Sequence, residues 1–190
     1  MVKVAVIGAG AAGLVAASEL LKARHDVSVF EQSSRVGGIW VYQAASEPDP
    51  LGQTGPRLHA SMYASLRTNL PRDLMAFFDF SFDSSGGGVD DWPRYPGHAQ
   101  VLRYLEEFAD AFSLRQRIRF NTKVVQVVQE DRWLLTIDGD NGSVTEVFDA
   151  LAVSNGHYTR SEEHTSELQS LVKLVFRLLL EKKNNPANPL

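Results

Sequence analysis

The first thirty residues contain two apolar runs with an Ala- and Leu-rich stretch between them. Val2 to Ile7 is a short apolar run that ends at a glycine, which is typical of a buried parallel strand. Ala11 to Ala23 has the composition of a helix, and Asp26 to Phe30 alternates like a second strand. Because a strand–helix–strand unit of this length needs a right-handed crossover, we predict two neighbouring parallel strands here.

The middle of the chain is irregular and ends in one clear helix. Gln32 to Pro96 is rich in Gly and Pro, and loops of this length are either functional or disordered. We expect function in Arg35 to Trp40 and in Tyr63 to Phe82, and disorder in Ser84 to Val89. From His98 to Phe112 the apolar residues repeat at helical spacing, which predicts an amphipathic helix.

The last patterned region reads as strands. Thr122 to Gln129, Arg132 to Asp138 and Ser143 to Phe148 are separated by short turns, which predicts an antiparallel three-stranded β-meander. Ala150 to Ser154 is a further buried strand. The predicted fold class is therefore α/β, with a parallel sheet, a crossover helix and the antiparallel meander.

The link between the first strand and the first helix carries a glycine fingerprint. Gly8 to Gly13 reads Gly-Ala-Gly-Ala-Ala-Gly, the pattern G-x-G-x-x-G, between predicted strand and predicted helix. Gly8 permits the tight turn, Gly10 lets a pyrophosphate approach the backbone, and Gly13 lets the helix pack close to the strand. Glu31 ends the second strand 18 positions after Gly13, close to the expected spacing. Together these features predict a Rossmann-like FAD/NAD(P)-binding fold.

Glu31 also restricts which dinucleotide binds. A carboxylate accepts hydrogen bonds from the ribose hydroxyls of FAD or NAD, but repels the 2′-phosphate of NADP. Arg35 to Trp40 then favours FAD over NAD, because its two glycines let the chain pass close to a second part of the ligand and Trp40 offers an apolar face. The alternative is an ordinary Gly-Gly loop with a tryptophan that belongs to the core.

Several segments together resemble the flavin-containing monooxygenases, and most closely the plant S-oxygenating, glucosinolate-type members. Besides the glycine fingerprint they are Val36 to Trp40 (VGGIW), Ser65 to Pro71 (SLRTNLP), Asp79 to Phe82 (DFSF), RYPGHAQVLRYLEEFA from Arg94, and FDALAVSNGHYTR from Phe148. The resemblance covers Met1 to about Arg160. It implies that residues 1–159 are the N-terminal part of an FAD-binding domain.

The resemblance implies an enzyme that depends on FAD and NADPH. In that family, a flavin C4a-hydroperoxide formed with NADPH and O2 passes oxygen to a nucleophilic sulfur or nitrogen of a small molecule. The asparagine that matches Asn69 lies over the flavin, which makes Asn69 the candidate catalytic residue; the alternative is an Asn that caps a turn before Pro71. The implied cofactor-binding residues are Gly8, Ala9, Gly10, Ala11, Ala12, Gly13, Glu31, Gln32, Gly38, Trp40 and Val124.

Composition excludes several other classes of function. The net charge of −4 argues against nucleic acid as a partner. The sequence has no cysteine, so it offers neither thiolate metal ligands nor the dithiol of a disulfide-type reductase. The histidines lack metal-like spacing, and we expect no metal site. No apolar stretch reaches the ~18 residues of a membrane span, so we expect a cytoplasmic protein, with association with the endoplasmic reticulum as an alternative for a full-length form.

Two departures from the resembled family concern completeness. No second G-x-G-x-x-G lies between a strand and a helix, so we expect the NADPH site to lie outside this chain and the fold to be incomplete. Arg160 to Ser170 matches one reading frame of a common DNA-sequencing adapter, so residues 160–190 are expected to be a non-homologous tail that arose as an assembly artefact. The alternative is a short isoform whose Leu171 to Lys183 segment binds a membrane or a partner.

The expected function is therefore that of a truncated, inactive monooxygenase fragment. The alternative within enzymes is another flavoprotein with two dinucleotide sites, of the Baeyer–Villiger type. The alternative outside enzymes is a non-catalytic FAD-binding fragment.

Overall fold

In the computed structural model, residues 1–44, 62–82, 92–139 and 142–156 are described. Within these ranges the helices are α1 (Ala11–Lys22), α2 (Arg72–Met75) and α3 (His98–Ala111), and 3-10 turns cover Gly38–Trp40 and Arg115–Arg117. The strands are β1 (Lys3–Ile7), β2 (Asp26–Phe30), β3 (Ile118–Arg119), β4 (Lys123–Gln129), β5 (Trp133–Gly139), β6 (Gly142–Phe148) and β7 (Ala150–Val153).

The first sheet is parallel and has the strand order β3-β2-β1-β7. Ile7 at the end of β1 is level with Phe30 of β2 on one side and with Val153 of β7 on the other. The side chains of residues 4–6 are buried, as the central strand of a sheet covered on both faces requires. The helix α1 connects β1 to β2 as the predicted crossover.

The second sheet is the antiparallel meander β4-β5-β6. Gln129 pairs with Trp133 across the first turn, and a register shift lies between Val124 and Gln126. One face of the meander packs on the parallel sheet through a buried cluster of Ala5, Phe30, Leu135, Ile137, Phe148 and Leu151. Both sheets confirm the predicted fold class, and the ends of the six predicted strands lie within one residue of their predicted positions; β3 was not predicted.

The larger apolar core joins α1 and α3 to the parallel sheet. Leu14 of α1 and Leu105 and Phe108 of α3 are buried in it with Val29 of β2. Tyr104 of α3 is buried in the same core, with only 1% of its surface exposed. None of the described helices is long and apolar enough to cross a bilayer.

Residues 62–82 are held against α3 by the Tyr104 side chain. Its hydroxyl accepts a hydrogen bond from the N–H of Phe77 at 2.7 Å and donates one to the carbonyl oxygen of Phe80 at 2.6 Å. Its ring stacks on Phe82 with centroids 3.9 Å apart. Burial raises the pKa of Tyr104 to about 12, because the charged phenolate is poorly solvated there. The predicted disorder of Ser84 to Val89 lies outside the described residues.

Candidate dinucleotide site

The first glycine of the fingerprint lies where three parallel strands end. Gly8 follows β1, and its N–H donates to the carbonyl oxygen of Phe30 at 2.8 Å. Its φ is +100°, and a Cβ atom there would lie 2.4 Å from the carbonyl oxygen of Ser154, just after β7. The turn therefore packs closely between the ends of β2 and β7. In open α/β sheets this carboxyl edge is where ligands bind.

Gly13 and Gly10 have different surroundings. A Cβ atom on Gly13 would lie 1.9 Å from the carbonyl oxygen of Gly8, so only glycine lets α1 pack this close to the strand. A Cβ atom on Gly10 would find its nearest neighbour, Gly38 Cα, at 3.6 Å, which is ordinary contact. The protein itself thus has room for a side chain at Gly10. The open face of Gly10 is a cradle that a side chain would fill.

The N-terminus of α1 presents backbone donors at this cradle. Gly10 is the N-cap residue, it supplies no side-chain hydrogen bond, and the first turn contains no acidic residue. The first intrahelical bond runs from the N–H of Leu14 to the carbonyl oxygen of Gly10. The N–H groups of Ala11, Ala12 and Gly13 precede it and have no partner within the helix. Together with the helix dipole, these donors favour a phosphate group.

The Glu31 carboxylate is buried beside the turn. One oxygen accepts the N–H of Ala9 at 2.7 Å and the other accepts the N–H of Ser33 at 2.8 Å. Only 7% of Glu31 is exposed. A carboxylate has about four acceptor positions, so each oxygen can accept a further hydrogen bond. The N–H of Ala9 is used to hold Glu31, while Glu31 keeps the capacity to accept ribose hydroxyls.

The second glycine pair packs on the first turn. Gly37 donates from its N–H to the carbonyl oxygen of Ala9 at 3.0 Å. A Cβ atom on Gly38 would lie 3.0 Å from Gly10 Cα, and one on Gly37 would lie 2.3 Å from Leu102 Cδ1 of α3. Both glycines also have positive φ values, +121° at Gly37 and +56° at Gly38, which favour glycine whether or not a ligand approaches.

Trp40 follows this glycine pair in the same turn. It is partly buried and packs against the larger core. That packing is what the alternative interpretation, a core tryptophan, requires. Its contact with a ligand stays a prediction.

The remaining predicted cofactor residues are Gln32, which follows Glu31 in the chain, and Val124 of β4. Gln32 is exposed, and the N–H of Thr122 donates to the carbonyl oxygen of Glu31 at 2.9 Å. Val124, at the start of β4, is partly buried against the smaller core. This bond places the start of β4 next to the Glu31 backbone, beside Gln32. Ser33, which orients that carboxylate, was not predicted, because its contribution is a backbone N–H and no side-chain pattern marks it.

Asn69 lies in an exposed turn that Thr68 stabilises. The N–H of Thr68 donates to the carbonyl oxygen of Pro96 at 3.0 Å, and its hydroxyl donates to the carbonyl oxygen of Leu70 at 2.8 Å. Thr68 therefore does the capping that the alternative interpretation assigned to Asn69. Within the described ranges, the Asn69 amide has no hydrogen-bond partner, which leaves it available as a donor.

The Asn69 turn and the second glycine pair meet the same end of α3. Pro96 immediately precedes Gly97, the N-cap of α3. On the other side, the Tyr42 ring, two residues past Trp40, lies with its centroid 4.9 Å from that of His98. The N-terminal end of α3 thus anchors both segments. The position of Asn69 relative to a flavin stays a prediction.

Comparison with known proteins identifies the family. A family model described as flavin-binding monooxygenase-like matches residues 1–175. The flavin-containing monooxygenase FMO GS-OX5 of Arabidopsis thaliana is 52% identical over 162 residues, which are 82% of this chain and 35% of that protein. FMO GS-OX-like 2 of the same plant is 48% identical over 166 residues, 82% of this chain and 36% of that protein. The chain spans about a third of the length of these relatives.

Solved structures agree with this result. The S-allyl-L-cysteine S-oxygenase from Allium sativum superposes with a TM-score of 0.77 at 44% identity, covering 85% of this chain and 38% of that protein. Cyclohexanone monooxygenase, at 22% identity and a TM-score of 0.60, shares the fold. The predicted resemblance to plant S-oxygenating enzymes is confirmed. The chain belongs to the flavin-binding monooxygenase-like family of oxidoreductases.

Proposed function

We propose that this chain is the FAD-binding part of an FAD- and NADPH-dependent monooxygenase that transfers one oxygen atom to a nucleophilic sulfur or nitrogen. The observation that carries the proposal is the arrangement at the end of β1. There the open face of Gly10 and the uncapped start of α1 lie on one turn, and the Glu31 carboxylate is hydrogen-bonded to that turn. Glu31 can accept hydrogen bonds from a ribose, the open face of Gly10 lets a pyrophosphate approach the backbone, and the start of α1 favours the negative charge of the phosphates.

These residues fit FAD in a definite order. The N–H groups of Ala11 and Ala12 would hold the pyrophosphate, and Glu31 would accept the ribose hydroxyls. Gln32 and Val124 lie on the adenine side of this arrangement. Gly38 would lie beside the pyrophosphate, because it packs on Gly10, and the segment of Trp40 meets the same end of α3 as the Asn69 turn.

Bound FAD would supply the redox chemistry, taking electrons from NADPH and activating dioxygen. The substrate sulfur or nitrogen is itself the nucleophile, so the protein needs no triad and no paired carboxylates. The chain has to bind, exclude water and place a donor near developing negative charge. The Asn69 amide is that donor in our proposal.

Sulfur is the acceptor that the relatives favour. The solved structure at 44% identity is named an S-oxygenase, whereas cyclohexanone monooxygenase is related at only 22% identity. We infer a small sulfide as substrate, with O2 as co-substrate. We also propose that the NADPH site lies outside this chain, and that the 190-residue chain alone does not oxygenate it.

Reconstitution with FAD tests the proposal. The purified chain is incubated with FAD, freed of unbound flavin by gel filtration, and its flavin absorbance is compared with protein concentration. Gly10→Val should abolish retention, because the branched side chain fills the cradle. Gly139→Val, at the end of β5, is the matched control, since a Cβ atom there would have its nearest neighbour at 3.8 Å. Stoichiometric flavin on Gly10→Val, or none on the unaltered chain, would contradict the proposal.

A further inference from the structure

Two extended segments beside the Asn69 turn form a short antiparallel ladder. The N–H of Arg72 donates to the carbonyl oxygen of Arg94 at 2.8 Å, and an isolated bridge joins Arg67 to Gly97. The bond from Thr68 to Pro96 described above lies between these two. The ladder therefore places arginines at both ends of one small surface.

One of these arginines, Arg72, is bound to other groups of the protein. The Arg72 guanidinium donates to the carbonyl oxygen of Trp92 at 3.1 Å and lies 4.0 Å from the Asp73 carboxylate. Only 18% of its side chain is exposed. Arg67 and Arg94, in contrast, are both exposed.

Arg67 and Arg94 differ from most arginines of the described chain in having no carboxylate partner there. Six others are paired: Arg35 with Glu106, Arg103 with Glu107, Arg115 with Asp110, Arg117 with Asp26, Arg119 with Glu146 and Arg132 with Asp149. Arg24 is also without such a partner in the described ranges, but it lies at the C-terminal end of α1, where the helix dipole stabilises a cation. In a chain of net charge −4, the positive charge at Arg67 and Arg94 is a local exception.

Both guanidinium groups lie close to Tyr95, Arg67 at its backbone and Arg94 at its ring. Arg67 donates to the Tyr95 carbonyl oxygen at 3.2 Å, and the Arg94 guanidinium carbon lies 5.9 Å from the centroid of the Tyr95 ring. Tyr95 is 43% exposed. A guanidinium has five N–H donors, so the bond to the carbonyl orients Arg67 and leaves donors for a ligand.

We propose that Arg67 and Arg94 form a binding site for the oxyanion group of a small ligand, beside the catalytic position that our proposed function gives to Asn69. Arg67 and Asn69 are two residues apart, so their Cα atoms are separated by at most about 7 Å. A ligand held here by its anion can therefore reach the Asn69 turn with its next few atoms. Guanidinium groups recognise planar and tetrahedral oxyanions through paired hydrogen bonds.

Two sources of such an oxyanion fit the proposed function. One is the carboxylate of a thioether substrate, a few bonds from its sulfur. The other is a phosphate of the nicotinamide nucleotide. Both would bind through the same donors, and the experiment separates them.

The test is calorimetric titration of the 190-residue chain at low ionic strength. The probes are 3-(methylthio)propionate, its neutral analogue 3-(methylthio)propan-1-ol, and adenosine 2′,5′-bisphosphate. We expect at least one anionic probe to bind and the alcohol not to. Arg67→Gln and Arg94→Gln should each weaken that binding about tenfold or more, since each removes a charged hydrogen-bond donor. Arg67→Lys should bind the anion more tightly than Arg67→Gln but less tightly than the unaltered chain, because lysine keeps the charge but lacks the planar pair of donors of a guanidinium.

Arg117→Gln is the matched control, because it removes an exposed arginine that pairs with Asp26. Equal binding of the alcohol and the carboxylate, failure of both anions to bind, or an equal loss in Arg117→Gln would overturn the proposal. Loss confined to the carboxylate assigns the site to substrate, and loss confined to the bisphosphate assigns it to nucleotide. FAD content is measured on every variant. A chain that binds the anion but not FAD would refute the proposed function and leave the anion site standing.

Discussion

The backbone N–H of Ala9 donates a 2.7 Å hydrogen bond to the Glu31 carboxylate, 22 positions further along the chain. This bond ties the end of β2 to the turn that follows β1. The carboxylate that the spacing marked as a ribose acceptor thus also holds the glycine turn in place. The consequence is that a change at Glu31 acts on the protein without ligand as well as on ligand binding.

Glu31→Gln should lower both stability and FAD affinity. An amide has only one acceptor oxygen, so the N–H of Ala9 or of Ser33 would face an NH2 group and remain unpaired. A buried unpaired donor costs about 1–3 kcal/mol. Urea denaturation of the chain without flavin, and flavin fluorescence titration, measure the two effects. Glu130→Gln, at an exposed turn, serves as control. An unchanged dissociation constant for FAD would show that Glu31 stabilises the turn but does not contact the ligand.

Gly13→Ala should destabilise the chain before any ligand is considered. Its Cβ atom would lie 1.9 Å from the carbonyl oxygen of Gly8, so α1 must move away from β1. Overpacking of this kind typically costs about 1–3 kcal/mol. Gly10→Ala, three positions earlier, should leave the unfolding free energy within about 0.5 kcal/mol, apart from glycine's own backbone effect. Equal destabilisation of the two variants in urea would show that the folded protein has no room for a side chain at Gly10.

Asn69→Ala should leave FAD retention by this chain unchanged. In a longer enzyme that carries this N-terminal part, NADPH oxidation should continue while hydrogen peroxide is released in place of oxygenated product. Loss of one preorganised donor costs on the order of 100- to 1000-fold in rate. Product formation and peroxide are measured against NADPH consumed, with Gln129→Ala, at the exposed end of β4, as a control. Unaltered coupling of NADPH to product would remove Asn69 from the active site.

Tyr104→Phe should lower stability and remove part of its dependence on alkaline pH. The variant leaves the N–H of Phe77 and the carbonyl oxygen of Phe80 without their shared partner, at a cost of about 1–3 kcal/mol. The pKa of Tyr104 is raised from 10.0 to about 12 in the folded chain. The resulting stabilisation is complete below pH 10 and is lost as the pH rises from there towards 12.

The measurement for Tyr104 is the unfolding free energy between pH 8 and pH 11.5, compared among the unaltered chain, Tyr104→Phe and Tyr63→Phe. Tyr63 is 53% exposed and should behave like the unaltered chain. The fall in stability above pH 10 should be shallower in Tyr104→Phe alone. If the unfolding free energies of all three proteins fell in parallel with pH, the pKa of Tyr104 would not differ between the folded and unfolded chain.

Deletion of residues 161–190 should leave flavin content unchanged. The reason is the predicted boundary near Arg160, which lies outside the described residues and stays a prediction; the family match itself extends to residue 175. Both lengths are expressed side by side, and soluble yield and flavin per protein are compared. Loss of FAD binding on deletion would show that the tail belongs to the domain.

Regular elements were predictable where local pattern and tertiary environment agree. The β1-α1-β2 unit and the meander carry strong periodicity, and Gly8 to Gly13 is a local fingerprint. β3 escaped prediction because Ile118–Arg119 has two residues and exists only through its pairing with β2. The role of Gly37 also escaped, since its nearest obstacle is a side chain of α3, 65 positions away. Such contacts depend on the assembled fold, and no local pattern encodes them.

The place of β1 in the centre of its sheet sets the order in which the domain can assemble during synthesis. β2 follows β1 within thirty residues, but the other neighbour, β7, begins at Ala150, and the bond from Lys3 to Asp149 spans 146 positions. The nascent chain therefore leaves the ribosome with one edge of β1 unpaired until Ala150 and the residues after it have been made. Pairings of this range form slowly, while the meander closes from local contacts. Pairing of β1 with β7 is thus expected to follow both the pairing of β1 with β2 and the closing of the meander, and until then the unpaired edge of β1 is open to association with other chains.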